Sequence, residues 1–178
     1  MNVNTTNLET NREQWASIDC YSNYEVSWFG RVRNAKTGRI LKHCTDKQGY
    51  PCAGLSKNGK TKTHKIHQLV AREWVSNPDG KRCVDHIDGD KLNNHHENLR
   101  YATHTENSRN QKKRSDGSSI YKGVSLYKQR NNWTSRILVD GKAVFLGYFT
   151  NEREAAEVYN TTALENFGVF ARLNTFTD

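Results

Sequence analysis

Long apolar runs are missing from this chain of 178 residues. None approaches the ~18 residues that a membrane span needs. The opening MNVNTTNLETNREQW also lacks the basic start and apolar run of a secretory signal. A membrane partner is therefore not expected, and the expected location is intracellular. Hydrophobic residues make up only 34%, and mean hydropathy is −0.93. So little apolar material argues against one large core and for small modules in series, each marginal alone below roughly 70 residues. Paired cysteines are absent too. Cys20, Cys44, Cys52 and Cys83 lie far apart with no C-x-x-C, the pattern of scattered reduced thiols. Acid is locally missing: from Ser56 to Arg72 there are five Lys or Arg and no Asp or Glu. Ser108 to Ser119 holds four basic residues against Asp116 alone. With a net charge of +8, these stretches favour a polyanionic partner.

What is present reads as short elements. YEVSWFGRVRN, TGRILKH and GYPCAGL are β-prone runs punctuated by glycine, which predicts a small antiparallel sheet. Asn58-Gly59-Lys60 is a hairpin signal. Ile66, Leu69, Val70, Glu73 and Trp74 then recur at helical spacing. CVDHI and LRYAT predict two strands around a DGD turn. In THTENSRNQ, Thr103 and Glu106 form a capping box that starts a helix. SRNQKKRSDGSS is polar and basic without apolar period, and reads as a linker. YKGVSLYK, NNWTSRILVDGK and AVFLGYF predict three strands. A helix follows, with Ala155, Ala156, Val158, Tyr159, Ala163 and Leu164 on its apolar face and Gly168 after its end.

The stretch from Val84 to Asn107 concentrates four histidines and five Asp or Glu. Its bland reading is a hydrophilic, acidic loop. Its chemical reading is phosphodiester hydrolysis, which needs an activated water and a neutralised leaving oxygen. A hard divalent cation with few protein ligands meets the second need. Asp85 offers a carboxylate at a strand end, Asn107 an amide oxygen in a first helical turn. A hairpin folded onto that helix can join them, and His86, titrating near neutrality, can act as general base. An EF-hand is excluded, because Gly89 at its sixth position puts Val84 at the first ligand position. A zinc site from Cys83, His86, His95 and His96 matches no common spacing. His95 and His96 read most simply as solvated loop residues.

VDHIDGDKLNNHHENLRYATHTEN resembles the H-N-H nuclease motif of phage intron-encoded homing endonucleases, and IHQLVAREW resembles the segment that precedes it. YEVSWFGRVRN and GYPCAGLSKNGK resemble the NUMOD-type module found upstream, so the likeness runs from about Trp15 to Asn110. The resemblance implies that Asp85 and Asn107 bind Mg²⁺ (or Mn²⁺), that His86 activates the water and that Asn98 fixes the loop so that His86 is correctly turned. His67 matches a family histidine near the active site, and a packing role suits it as well. SWFG departs from the family, which usually has a small polar residue before the glycine. Trp28 and Phe29 therefore either alter DNA contact or pack.

The last segment resembles the plant ethylene-response-factor (APETALA-type) DNA-binding domain through YKGV, Trp133, FLGYF, EAAEVYN and the final LNTF. That likeness implies a three-stranded sheet in the major groove, with Lys122, Ser125, Tyr127, Arg130, Trp133, Arg136 and Lys142 as DNA contacts. Trp133 and Phe145 could instead be core aromatics. Ser125 stands where the plant domains usually carry arginine, so their target sequence does not transfer. Lys112, Lys113 and Arg114 in the linker would follow phosphates.

The expected architecture is α+β, as small modules in series: a NUMOD-type sheet module (1–60), an H-N-H ββα-metal centre (61–110), a basic linker (111–118) and a reader of three strands plus a helix (119–178). The expected function is site-specific cleavage of double-stranded DNA, nicking one strand as a monomer, inside a phage- or virus-infected host cell. The alternative is a DNA-binding transcriptional regulator with a non-functional nuclease centre, which the complete set Asp85, His86, Asn98 and Asn107 disfavours.

Overall fold

A computed structural model describes residues 13–113 and 115–176. The chain divides into two compact units, the first ending at Ala102 and the second starting at Thr103. Mixed small sheets and helices make up both.

In the first unit, β1 (Trp15–Ser17), β2 (Tyr24–Ser27) and β3 (Val32–Asn34) form one antiparallel sheet. Strands β4 (Cys44–Thr45), β5 (Pro51–Lys57) and β6 (Lys60–Lys65) form a second. The β5–β6 turn is Asn58-Gly59, with φ of 52° and 73°. Both central residues of a type I′ turn need that left-handed backbone, which Asn and Gly tolerate best. TGRILKH does not become a strand; it contributes only an isolated bridge from Ile40 to Arg33. Helix α1 (Ile66–Trp74) follows directly, then the two-stranded ladder of β7 (Cys83–His86) and β8 (Leu99–Ala102).

These elements share one core: Ile18, Val26, Val32, Ala53, Leu55, Ile66, Leu69, Val70 and Leu99. Small modules in series, rather than one large core, are the expectation from composition. Ile66, Leu69 and Val70 of α1 pack with Val26, Val32 and Leu55 as well as with Leu99 and the partly buried Val84. Each such side chain taken from water contributes ~1.5–3 kcal/mol. The first unit is thus held by residues from both predicted modules.

The second unit opens with α2 (His104–Arg109), whose capping box is present as read: Thr103 Oγ1 accepts from Glu106 N at 3.2 Å and Glu106 Oε2 accepts from Thr103 N at 2.7 Å. Strands β9 (Val124–Tyr127), β10 (Asn132–Val139) and β11 (Lys142–Phe149) form an antiparallel sheet with β10 central. Helix α3 (Glu152–Phe167) covers one face. Its buried line is Ala155, Tyr159, Ala163 and Phe167, with Ala156 beside it. Leu164, read as part of that face, lies one position off the line and is 55% exposed. Gly123 takes φ 79°, and a Cβ there would come within 2.0 Å of the Tyr159 ring, so only glycine lets β9 approach α3. Among the described residues no helix is long and apolar enough to cross a membrane.

Candidate active site

Strand β7 ends on two successive buried residues, Asp85 and His86. The β7–β8 register sets Asp85 opposite Arg100. Arg100 donates to Asp85 Oδ2 from Nε at 2.9 Å and from Nη2 at 2.8 Å. A buried carboxylate is costly without such a partner, and the sequence reading did not identify Arg100. The signal was there in principle, since equal strand lengths around the turn pair residues 85 and 100.

The loop between the strands is built by its own polar side chains. Asp88 Oδ1 accepts from Asp90 N at 2.7 Å and from Asn98 Nδ2 at 2.9 Å; Asp88 Oδ2 accepts from Asn93 Nδ2 at 2.7 Å. Asn98 also accepts from Asp88 N at 3.0 Å and donates to Asn93 O at 2.8 Å. Partial burial raises the Asp88 pKa, but these donors outweigh it and hold the carboxyl below its ordinary value. Asp88 and Asp90 are turn formers, and Asn98 ties the two ends of the loop together.

His86 is held directly by a residue the sequence reading missed. Its Nε2 lies 3.2 Å from Asn94 Oδ1, and Asn94 is itself buried. The Asn94 amide donates to Lys91 O at 3.3 Å and Leu92 O at 3.0 Å, which leaves Oδ1 facing the ring. An amide oxygen only accepts, so Nε2 is the donor in this contact. Nothing in the run of asparagines distinguishes Asn94 by spacing; only the folded loop does.

His67 from α1 packs edge-on against His86, ring centroids 5.0 Å apart, and Tyr50 sits 4.8 Å from His67. Burial, then the nearby His86 and Lys65, push the His67 imidazole down to about 4. Its buried Nδ1 has no hydrogen-bond partner among the described residues. The ammonium groups of Lys65 and Lys91 stand 4.3 and 4.6 Å from the Tyr50 ring centroid. Lys65 is ion-paired with Asp46 at 3.2 Å, and Lys91 donates to Gln48 O at 2.7 Å.

Trp28 and Phe29 do pack. Trp28 stacks on His96 at 5.6 Å and Phe29 contacts His95 at 4.8 Å, although Phe29 stays 53% exposed. His95 and His96 are accordingly half-buried against aromatics rather than solvated. Among the described residues no three His, Cys, Asp or Glu gather in a group that could hold a metal. Asn107 lies half-buried on α2, in the second unit. Carboxylate and amide oxygens are the donor types that a hard divalent ion keeping several waters accepts.

In the second unit Ser125, Arg130, Arg136 and Lys142 are exposed and Tyr127 is half-buried. Arg136 lies over Phe145 at 5.7 Å, and Tyr148 contacts both Phe145 and Tyr127. These make a basic, aromatic surface on the sheet. Two residues expected there serve otherwise. Trp133 packs against the cluster of Val124, Ala155 and Ala156 because β10 is covered by α3. The Lys122 ammonium donates to the backbone carbonyls of Arg109 and Gln111 at 2.6 and 2.7 Å. Of the linker residues, Lys112 is exposed, Lys113 is half-buried and Arg114 lies outside the described residues.

The family model of the NUMOD4 motif matches residues 13–56, and that of the HNH endonucleases matches residues 64–109. An uncharacterized HNH endonuclease of Acanthamoeba polyphaga mimivirus is 43% identical over 95 residues, 53% of this chain and 28% of the relative. The DNA endonuclease I-HmuI of Bacillus phage SP01 is 42% identical over 102 residues, 57% of this chain and 59% of the relative. The chain therefore spans less than two thirds of the length of these nucleases. The AP2-like ethylene-responsive transcription factor AIL7 of Arabidopsis thaliana is 40% identical over 62 residues, 34% of this chain and 12% of the relative. The solved structure of the homing endonuclease I-HmuI matches with a TM-score of 0.51 and 30% identity, covering 88% of this chain and 92% of that one. With two adjoining motifs matched and a solved relative covered almost end to end, the chain belongs to the HNH endonuclease family.

Proposed function

We propose that this protein is a site-specific DNA endonuclease that hydrolyses one phosphodiester at a time and nicks one strand as a monomer. The observation that carries the reading is His86, buried at a strand end beside Asp85 with its Nε2 committed to Asn94. I-HmuI, the structural relative, binds and cleaves DNA.

On this reading His86 takes the proton of the attacking water, and the Asn94 oxygen steadies the imidazolium that forms. Asp85 and Asn107 would hold Mg²⁺ (or Mn²⁺), which when bound neutralises the leaving oxygen and its phosphate. Asn98 keeps the loop closed under His86. His67, neutral at physiological pH, packs the ring of His86 and keeps a second proton from being stored beside it. The exposed Lys91 draws the phosphate in. We assign the modules as 1–60, 61–110, 111–118 and 119–178. The last is an ethylene-response-factor-like reader using Ser125, Tyr127, Arg130, Arg136 and Lys142, reached through Lys112, Lys113 and Arg114. Lys122 and Trp133, turned inward, are left out of the DNA contacts.

A single set of these groups cuts one strand, which supports nicking. The test is a supercoiled plasmid carrying a site selected from random duplex, incubated with Mg²⁺ or EDTA. Nicked circles should appear first and only with the metal. Linear product without a nicked precursor overturns the single-strand reading, and equal cutting in EDTA overturns the metal.

A further inference from the structure

Helix α2 is six residues long, far below the ~12–15 residues at which an isolated helix becomes even marginal. What steadies it lies within the second unit. Arg109, in its last turn, places its guanidinium 4.4 Å from the Phe167 ring centroid and Nη2 3.5 Å from Asp140 Oδ1, at the tip of the β10–β11 hairpin. Lys122 donates from Nζ to the carbonyls of Arg109 and Gln111. Carbonyls at a helix C-terminus lack intrahelical donors, and the helix dipole favours a cation there.

Lys122 is itself pinned. Its N–H donates to Asn174 Oδ1 at 2.6 Å and its carbonyl accepts from Asn174 Nδ2 at 3.1 Å. Asn174 exchanges two further bonds with Asn160 of α3, at 2.7 and 2.9 Å. A continuous path of hydrogen bonds therefore runs from α3 through Asn174 and Lys122 to the end of α2. Asn107 stands two residues before the Arg109 carbonyl that Lys122 holds. Burial, with Arg172 adding to it, brings the Lys122 ammonium down to about 8, as suits a cation enclosed by protein rather than laid on a phosphate.

We infer that Lys122 and Arg109 are positioning residues for metal binding: the C-terminal module fixes the end of α2, and with it the direction of the Asn107 amide oxygen, in addition to any reading of DNA. This rests on Asn107 being a metal ligand.

The test uses the full chain and Mn²⁺ alone, titrated by loss of the free-ion paramagnetic resonance signal. Hydrogen exchange across residues 104–110 and plasmid nicking accompany it. Lys122→Met should weaken Mn²⁺ binding about tenfold, the lower range for losing an outer-shell support, and should speed exchange in α2. The metal concentration giving half-maximal nicking should rise by the same factor. DNA affinity in EDTA should stay within about twofold, because no phosphate contact is removed. Lys122→Arg, which keeps a donor for the carbonyls, should recover most of the loss. Unchanged Mn²⁺ affinity and unchanged α2 exchange in Lys122→Met overturn the inference. Asn107→Ala separates the two claims: if it binds Mn²⁺ and nicks normally, the ligand assignment fails; if it fails where Lys122→Met does not, only the positioning role fails. Should Lys122→Met lose its folded circular dichroism, Arg109→Lys, which loses the guanidinium contacts with Phe167 and Asp140, carries the same expected and overturning outcomes.

Discussion

Asn94 Oδ1 lies 3.2 Å from Nε2 of His86, and both side chains are buried. A hydrogen bond to a group that becomes charged contributes about 1.5–3 kcal/mol. Asn94→Ala should therefore slow nicking by roughly 10–100-fold, since each 1.36 kcal/mol is tenfold. DNA affinity should hold. Single-turnover rates on the selected site decide it, and a wild-type rate removes Asn94 from the mechanism.

His86→Ala should cost more, about 10²–10⁴ in rate, the range for losing a general base. Binding measured in EDTA should stay within a few-fold, because the lost interaction acts only in the transition state. Cleavage equal to wild type would end the assignment.

Gly30 should be intolerant of alanine. Its φ is 86°, and a Cβ there would stand 2.8 Å from Asn94 Cβ and 3.2 Å from Ile66 Cγ2. Backbone strain in this region costs about 1–3 kcal/mol. Gly30→Ala should lower the urea midpoint and slow nicking together, because the displaced neighbour is the one that holds His86. A slower enzyme of unchanged stability, or the reverse, would argue against the coupling.

Stability should fall in mild acid through His67. Its folded pKa is about 4, against 6.5 as the ordinary value. Between those values the unfolded chain binds the proton and the folded chain does not, so stability rises with pH. The contribution is complete above pH 6.5 and disappears toward pH 4, about 3 kcal/mol in all. Urea midpoints at pH 7.5 and 5 should differ more in the wild type than in His67→Gln. Equal differences would show that another group dominates.

Changing Lys112, Lys113 and Arg114 to alanine should flatten the salt dependence of DNA binding. Each phosphate contact contributes ~0.9 to the log–log slope, so a change of about 1–3 is expected. An unaltered slope would mean the basic stretch does not touch DNA.

Local features were legible in the sequence because local chemistry makes them. The turn at Asn58-Gly59, the capping box of Thr103 and Glu106, and the spacing of Ile66, Leu69 and Val70 all produce the elements that they suggest. The adjacency of Asp85 and His86 could be read because it is covalent. What could not be read is fixed by packing between distant segments. Tyr50 reaches His67 and His86 from the β4–β5 turn. Asn94 is singled out from its neighbour Asn93 only by the fold of the loop: one faces His86, the other Asp88. Lys122 is expected at DNA from the resemblance of YKGV to the plant DNA-binding domain, whereas its partners are backbone carbonyls that no sequence pattern marks.

A recombination joint near residue 60 would fall just before α1 and pass through the packing of Val26, Val32 and Leu55 against Ile66, Leu69 and Val70. A gene that received a foreign N-terminal segment at that point would inherit half of two different interiors. Each unmatched aliphatic side chain left in water forfeits ~1.5–3 kcal/mol, and three of them approach the whole stability of a small domain. Viable exchanges should therefore keep residues 13–102 together. What can be exchanged is bounded by the interior of the first unit rather than by the edges of its motifs.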